Sequence, residues 1–403
     1  MAHGMDPATM ITVADARARI AGALGPVAAE TTPGPRAFGR TLAADISAPR
    51  AHPPAAVSAM DGYAVRSADL DAGGAFTVIA ESRAGAGAGR AVGAGEAVRI
   101  STGAPLPEGA DQVVIQENAV RDGNAVRLDE APSPGRHVRV AGSDFAASAV
   151  LLTKGAILTP PRVALAAAAG ISAVPVMRRP RIAVLTTGDE LVEAGLEPGP
   201  GEVHDSAAPG LAALIFSVGG QPLLLGIARD DPEDIREALA SAEGADLLVT
   251  VGGASVGDHD HLRRVFAEEG GALAFERVRV KPGMPTWFGD LAGLPVLGLP
   301  GNPVSAMVTA RLFLVPGIRT LLGQPHALAL GYERAILGEP LGPNGARETF
   351  LRGVREGATG PVRALGKQES NQLSALAEAN ILIRRQPDAP EAGAGSEVEV
   401  LPL

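Results

Sequence analysis

The sequence predicts a multidomain α/β protein built around a central parallel β-sheet. Between residues 178 and 325, apolar strand patterns alternate with helix patterns, which is typical of a parallel sheet covered on both faces. Residues 51–136 instead contain short β-like runs separated by Gly- and Pro-rich turns, which indicates a β-rich domain inserted before the sheet. Short strands and polar turns return from residue 326 to 403, so a small β domain ends the chain.

Composition limits the possible functions. The 403 residues exceed the size of one ordinary core, so several domains are expected. The chain has no cysteine, which excludes disulfides and thiolate metal sites. A net charge of −10 argues against a general nucleic-acid partner. No apolar run reaches the roughly 18 residues that a membrane-spanning helix needs. We therefore expect a cytoplasmic protein without a nucleic-acid or membrane partner.

The first half of the chain contains two helix signals that flank the β-rich segment. Thr12 is placed to cap a helix over Val13–Leu24, and Thr159-Pro160-Pro161 begins a second helix that runs to Ala169. Between them, strands are predicted at 76–80, 97–100, 112–116 and 125–128. We expect residues 10–50 and 137–177 to pack together as one discontinuous linker domain, with residues 51–136 inserted into it.

The central domain, residues 178–325, alternates strand and helix. Strands are predicted at Ile182–Thr187, Leu223–Ala228, Asp246–Val251 and Pro295–Leu299. Helices are predicted from Asp205 or Ser206 to Val218, from Asp231 to Ala242, from Asp258 to Glu269, and from Pro303 to about Val315. Ligands of open parallel sheets bind at the carboxyl ends of the strands, so the loops at those ends are the candidate site.

Two of these loops carry acidic residues. Gly188-Asp189-Glu190 follows the first strand, and its carboxylates suit a metal ion or a leaving group. A tight turn with a capping Asp explains the same residues equally well. The loop from Gly252 to Asp260 is Gly-rich and precedes a helix, so its backbone suits a phosphate group. Helix capping accounts for one of Asp258 and Asp260, which leaves the other for function.

Further loops carry basic, hydroxyl and rigid turn residues. The two prolines of Pro300-Gly301-Asn302-Pro303 fix a turn before a helix, and Lys281 lies in a Pro-rich turn that suits a polyanion. A solvated hairpin is the alternative for Lys281. In the first half, the strings from Ser58 to Val65 and from Ser101 to Pro105 carry Asp61 and Thr102, and Gly142-Ser143-Asp144 adds a third loop acid.

Taken in order, these strings resemble the MoeA family, which includes the gephyrin E domain. The resemblance runs from about residue 12 to the end of the chain. It implies an elongated, four-domain homodimer with a MogA-like molybdopterin-binding domain at 178–325 and a barrel-like domain at 326–403. It further implies an active site shared between one subunit's sheet domain and its partner's β domain.

The family activity converts adenylyl-molybdopterin and molybdate to molybdenum cofactor and AMP, with Mg²⁺. By motif, the resemblance implies seven catalytic residues: Asp61, Thr102, Asp144, Glu190, Asp230, Asp260 and Lys281. Glu190 and Asp260 are the implied metal ligands. The implied cofactor-binding residues are Gly252, Gly253, Ser255, Gly257, Arg277, Lys281, Pro300, Gly301, Asn302, Pro303 and Ser370. A molybdopterin adenylyltransferase and molybdoenzyme acceptors are the implied protein partners.

The sequence departs from the family pattern at four positions. Met284 and Arg277 stand where a basic residue and a Lys are common, His261 replaces a frequent aromatic residue, and Ala207 replaces Asn. No acidic site residue is lost, so we expect an active enzyme. Two alternatives stay open, a molybdopterin adenylyltransferase and a non-catalytic scaffold that retains the fold.

Overall fold

The computed structural model describes residues 10–72, 74–253, 261–325, 327 and 329–403. The chain forms two compact units. The sheet unit contains the residues up to Glu30, Gly39–Ala43 and Val176–Leu403, and the β-rich unit contains Thr31–Phe38 and Ala44–Pro175. The division into four domains stays a prediction.

The first part of the chain is mainly short strands. In chain order its elements are α1 (Val13–Ala23), β1 (Ala29–Pro33), β2 (Ile46–Ser47), β3 (Val57–Ser58), β4 (Gly62–Val65), β5 (Ala75–Ser82), β6 (Glu96–Ile100), β7 (Gln112–Ile115), β8 (Ala119–Asp122), β9 (Ala125–Leu128), β10 (Val138–Arg139), β11 (Val150–Leu152), α2 (Pro160–Ala168) and β12 (Ala173–Met177).

Helix α1 begins where the sequence predicts. The hydroxyl of Thr12 accepts a hydrogen bond from the backbone N–H of Asp15 at 3.1 Å, which caps the helix. Its buried side chains, Val13, Ala16 and Ile20, recur at helical spacing and join the core of the sheet unit. The predicted cap is therefore confirmed, and the helix ends one residue before the predicted Leu24.

The β-rich unit is organised around a six-stranded sheet in the order β7-β4-β6-β5-β9-β8. Side chains from both faces of this sheet are buried, with Tyr63 and Phe76 in one cluster and Ile100 in another. The segments before and after the sheet pair with each other, β2 with β11 and β3 with β10, both antiparallel. These pairings join the segments on either side of the six-stranded sheet, and the discontinuous linker domain stays a prediction.

The central part of the chain alternates strands and helices. Its elements are β13 (Arg181–Thr187), β14 (Leu191–Val192), β15 (Val203–His204), α3 (Ala207–Ser217), β16 (Gln221–Ala228), α4 (Pro232–Ala240), β17 (Leu247–Val251), α5 (His261–Glu268), β18 (Ala272–Phe275), β19 (Val280–Lys281), β20 (Trp287–Leu291), β21 (Leu294–Leu299), α6 (Pro303–Thr309) and α7 (Val315–Leu321), with a π-helical segment at Ala310–Leu314.

Six of these strands form a sheet in the order β16-β13-β17-β21-β20-β18. The first four are parallel, as predicted, and their strand ends meet at one edge. The sequence prediction does not include β18 and β20, which extend the sheet through two antiparallel pairings, β21 with β20 and β20 with β18. Buried side chains lie against both faces, including Leu211 and Val249 on one face and Leu239 and Leu248 on the other.

The helix that begins at Pro303 is longer than predicted. It continues through Ala310–Leu314 to Leu321, so the predicted end near Val315 is wrong. A proline inside an α-helix loses one hydrogen bond and collides with the preceding turn, and the wider π-helical turn lies just before Pro316. This stretch is apolar and long enough to cross a membrane, but 78% of its most apolar window is buried in the protein. We interpret it as a core helix.

The last part of the chain is barrel-like. Its elements are β22 (Glu333–Ile336), β23 (Glu348–Arg355), β24 (Val362–Ala364), α8 (Leu373–Glu378), β25 (Ile381–Arg385) and β26 (Glu397–Pro402). The strand order is β19-β23-β25-β26-β22, and β24 also pairs with β23. A bridge between Leu337 and Val362, with Gly338 N–H donating to Val362 O at 2.8 Å, links the two ends of this arrangement. The short helix α8 was not predicted.

Candidate functional site

A cavity of about 930 Å³ opens at the carboxyl ends of the parallel strands. It is lined by residues of the loops that follow β13, β16, β17 and β21, which are the loops that the sequence singles out. The cavity wall includes Thr186, Thr187, Gly188, Glu190, His204, Asp205, Ala207, Asp230, Gly252, Gly253, Arg277, Met284, Pro300, Gly301, Asn302, Pro303, Asn371 and Leu373.

Glu190 is held on a short, well-braced loop. Gly188 N–H donates to Ala228 O at 3.2 Å, and the backbone carbonyl of Glu190 accepts from Val203 N–H at 2.7 Å. Strands β14 and β15 pair in parallel directly after Glu190. A Cβ on Gly188 would lie 2.5 Å from the Glu190 carboxylate, so glycine leaves room for that side chain. The loop therefore presents Glu190 to the cavity.

Asp189 has a different role from Glu190. Its carboxylate accepts a hydrogen bond from the backbone N–H of Asp230 at 3.1 Å, which ties the loops after β13 and β16 together. Burial raises the pKa of Asp230 above its usual value, and the charges of Asp189 and Glu190 raise it further, whereas His261 lowers it. The cavity edge is thus a site of concentrated negative charge that favours a cation or a proton.

Asp205 is a buried acid that the sequence identifies only as one of two possible helix caps. Its carboxylate accepts from the N–H groups of Ala207 and Ala208, at 2.8 and 3.1 Å, and so caps α3. The Thr186 hydroxyl donates to the other carboxylate oxygen at 2.9 Å. Asp205 therefore joins the end of β13 to the start of α3 in the cavity wall. Sequence spacing gives no signal for the bond to Thr186.

The glycine after β17 allows two loops to approach closely. Gly252 has φ +98°, and a Cβ there would lie 2.5 Å from the Thr187 carbonyl oxygen. A Cβ on Gly301 would lie 3.4 Å from the Cα of Gly252, so the loop after β21 is close as well. Within the described ranges, the buried hydroxyl of Thr187 has no hydrogen-bond partner. The backbone of Gly252 and the hydroxyl-bearing residue Thr187 therefore lie close together in the cavity wall.

The predicted phosphate-binding residues are only partly described. Gly252, Gly253, Pro300, Gly301, Asn302 and Pro303 line the cavity. Ser255, Gly257 and Asp260 fall outside the described residues, as does the predicted helix start at Asp258. The predicted roles of all of these residues stay predictions.

The basic candidates lie in different places. Arg277 is half-buried and lines the cavity, whereas Lys281 is exposed on β19 and does not line it. Ser370 also does not line it, but its neighbour Asn371 does, together with Leu373 at the start of α8. Sequence patterns gave no signal for Asn371, because it lies in a polar turn of the last domain.

Two of the three candidates in the β-rich unit are brought together. The carboxylate of Asp61 accepts hydrogen bonds from the backbone N–H of Thr102 at 2.6 Å and from its hydroxyl at 3.0 Å. Asp144 is exposed on a separate turn, where its backbone N–H donates to His52 O at 3.0 Å. Asp61 and Thr102 thus form a preassembled pair on the surface of their unit.

Three of the four departures from the family pattern lie at the cavity. Met284, Arg277 and Ala207 line it, and the charge of the fourth residue, His261, lowers the pKa of Asp230. Ala207 uses its N–H in the cap of α3. In the part of the chain that is described, no three His, Asp or Glu side chains converge as a complete metal site. Glu190 is the described member of the predicted metal pair.

Three family models match successive parts of the chain. They are described as the MoeA N-terminal region (domain I and II), matching residues 11–170, a probable molybdopterin binding domain, matching 183–320, and the MoeA C-terminal region (domain IV), matching 334–403. Together they span both units.

Curated and solved relatives agree with these matches. Molybdopterin molybdenumtransferase 2 of Mycobacterium tuberculosis is 35% identical over 384 residues, which cover 93% of this chain and 95% of the relative. Molybdopterin molybdenumtransferase of Nostoc is 35% identical over 91% of this chain and 87% of the relative. The crystal structure of a molybdopterin biosynthesis MoeA protein from Pyrococcus horikoshii has a TM-score of 0.86 at 28% identity, covering 98% of this chain and 100% of that one.

Proposed function

Because the chain belongs to the MoeA family of molybdopterin molybdenumtransferases, we propose that it inserts molybdenum into molybdopterin. In the reaction that we propose, adenylyl-molybdopterin and molybdate give molybdenum cofactor and AMP. The observation that carries the proposal is the cavity at the strand ends, which is lined by Glu190 and Asp230 together with Gly252, Gly253 and Arg277.

The cavity chemistry suits a large anionic substrate. Arg277 supplies a planar cationic group that hydrogen-bonds phosphate or molybdate oxygens. Gly252 and Gly253 allow a phosphate to approach the backbone closely, because neither has a side chain. Asn371 adds an amide that both donates and accepts, which suits the polar edge of a pterin ring.

The acidic edge suits Mg²⁺. Carboxylate oxygens are the ligands that Mg²⁺ prefers, and burial, followed by the neighbouring charges of Asp189 and Glu190, raises the pKa of Asp230. Glu190, with Asp260, would hold the ion, which supplies positive charge to the pyrophosphate linkage. The Asp189 carboxylate accepts a hydrogen bond from the backbone N–H of Asp230, which joins the loops after β13 and β16.

We further propose that the protein works as a homodimer in the cytoplasm. In this arrangement, Asp61 and Thr102 of one subunit complete the cavity of the other. Their exposure as a ready pair on the β-rich unit supports the proposal, because exposed paired polar groups suit recognition of a ligand or partner surface. A molybdopterin adenylyltransferase and molybdoenzyme acceptors are the proposed donor and recipients of the pterin.

The test is AMP release from adenylyl-molybdopterin in the presence of Mg²⁺ and molybdate. Glu190→Ala is expected to lower the rate by at least about 100-fold, since a charged group at the reacting centre is lost. Glu193→Ala is the matched control, because Glu193 is an exposed acid directly after β14, close to Glu190 in the chain, that does not line the cavity. No AMP from the wild type, or equal rates for both variants, would contradict the proposal. Turnover of Mg-ATP with molybdopterin would instead indicate an adenylyltransferase.

A further inference from the structure

Lys281 is held in place by a strand of the last domain. The short strand β19 pairs in parallel with the start of β23, with Val280 opposite Glu348 and Lys281 opposite Thr349. The backbone N–H of Glu348 donates to Arg279 O at 3.1 Å. The Lys281 side chain is exposed. The position of its ammonium group therefore depends on its backbone, and its backbone depends on the start of β23.

A buried ion pair fixes the start of β23. Glu348 is only 7% exposed, and its carboxylate accepts from Nε of Arg384, on β25, at 2.6 Å. Nη1 of Arg384 also donates to the Glu399 carboxylate, on β26, at 3.0 Å. The guanidinium lies 4.5 Å from the centre of the Tyr332 ring. Three strands are thus joined through one guanidinium at the point where β19 attaches.

We propose that Glu348 is a positioning residue for Lys281 in the transferase reaction. Glu348 does not line the cavity, so it acts through the pairing of β23 with β19. The lysine ammonium is a compact charge at the end of a flexible side chain. It binds an anionic substrate oxygen well only when the lysine backbone is correctly positioned relative to that oxygen. This inference rests on the proposed function, because it takes Lys281, which is exposed and lies in the chain between the cavity-lining residues Arg277 and Met284, to bind an anion of that reaction.

The experiment is a double-mutant cycle with Glu348→Gln, Lys281→Met and the double variant. The KM values for molybdate and for adenylyl-molybdopterin are both measured, together with kcat. Lys281→Met is expected to raise the KM for one of these two substrates. Glu348→Gln must raise the KM for the same substrate, by roughly tenfold and with little change in kcat. In the Lys281→Met background, Glu348→Gln is expected to have no further effect.

The fold of the Glu348→Gln variant is expected to survive, because Arg384 keeps Glu399 as a partner. Glu333→Gln is the matched control, since it removes a carboxylate from another ion pair of the same domain, with Arg355. That variant should leave both KM values unchanged. Glu348→Asp keeps the charge and should restore part of the lost affinity.

Independent effects of Glu348→Gln and Lys281→Met on KM would overturn the inference, and so would an unchanged KM in either single variant. A readout that needs no turnover is amide hydrogen exchange of residues 279–281, which should be faster in Glu348→Gln and unchanged in Glu333→Gln. Unchanged exchange in Glu348→Gln would also overturn the inference. If the wild type released no AMP, the proposed function would fail, and this exchange measurement would still decide whether Glu348 holds β19.

Discussion

The carboxylate of Asp61 accepts two hydrogen bonds from one residue, Thr102, through its backbone N–H at 2.6 Å and its hydroxyl at 3.0 Å. Asp61 lies directly before β4 and Thr102 lies in the loop after β6, 41 positions apart in the chain. The two hydrogen bonds hold the pKa of Asp61 below its usual value. The bond from the backbone N–H has the larger effect, and the bond from the hydroxyl has the smaller one. A charged, oriented carboxylate is therefore available at the surface.

Thr102→Ala should raise the pKa of Asp61 toward its usual value, because one of the two stabilising hydrogen bonds is lost. Thr102→Ser keeps a hydroxyl and should leave the pKa nearly unchanged. The measurement is an NMR titration of the Asp61 side-chain carbon. The same pKa in all three proteins would show that the hydroxyl bond does not form in solution.

The lowered pKa of Asp61 also sets the sign of a pH effect on stability. A carboxylate with a lower pKa in the folded state stabilises the fold above its unfolded pKa, and this contribution is lost as the pH falls through the folded pKa. The loss of stability on acidification should therefore be smaller in Thr102→Ala than in the wild type. Denaturant unfolding between pH 7 and pH 3 measures it, and an equal or larger loss in the variant would contradict the assignment.

The pKa of Asp230 is shifted in the opposite direction from the pKa of Asp61. Its pKa is raised by burial first, and then by the charges of Asp189 and Glu190, while His261 lowers it. Glu190→Gln should therefore lower the pKa of Asp230, and His261→Phe should raise it. Because the folded protein binds this proton more tightly than the unfolded chain, stability contributed by Asp230 should fall as the pH rises through its folded pKa. NMR titration of Asp230 that shifts the same way in both variants would contradict the charge arrangement.

Gly252 should tolerate substitution poorly. A Cβ there lies 2.5 Å from the Thr187 carbonyl oxygen, and φ is +98°, so both a clash and backbone strain are expected. Gly252→Ala should cost at least about 3 kcal/mol of unfolding free energy or displace the loop, with loss of AMP release in either case. Chemical denaturation and the AMP assay measure the two effects.

Gly195→Ala is the matched control for Gly252→Ala. Gly195 has φ +103°, but nothing lies within 4 Å of its Cβ position. Backbone strain alone should cost about 1 kcal/mol there and leave AMP release unchanged. Equal destabilisation by the two substitutions would mean that the close approach of Gly252 to Thr187 is not required.

The shared site of the proposed homodimer is tested by mixing two inactive variants. The variants Asp61→Ala and Glu190→Ala are co-expressed with different tags so that mixed dimers can be purified. If each site is shared between subunits, one of the two sites in a mixed dimer has both residues intact. A random mixture should then recover about one quarter of wild-type AMP release. Purified mixed dimers without activity would contradict a site shared between subunits, and a sedimentation mass of one chain would contradict the dimer itself.

Much of the fold is predictable because it depends on local patterns. The Thr12 cap, the Asp231 cap of α4 and the parallel strands that carry the cavity follow from residue type and periodicity. Positions at the strand ends are also predictable, since parallel strands bring their carboxyl ends to one edge. Glu190, Asp230 and the Pro300–Pro303 turn reach the cavity for this reason.

The features that the sequence did not predict depend on long-range contacts. Strands β18 and β20 add an antiparallel edge to the sheet, and no local pattern states their direction. The Thr186–Asp205 bond and the place of Asn371 in the cavity wall depend on how separate elements pack. Lys281 was predicted from its charge and its prolines, but the strand that holds it, β23, lies in another part of the chain.

The most direct test of the central claim is a quantitative single-turnover reaction of the wild-type protein with adenylyl-molybdopterin, Mg²⁺ and molybdate. AMP and pterin-bound molybdenum are measured in the same samples over time. Molybdenum insertion predicts that both products form in equal amounts, that both require molybdate, and that both are lost in Glu190→Ala but not in Glu193→Ala. AMP release without pterin-bound molybdenum, or the same amount of AMP with and without molybdate, would contradict it.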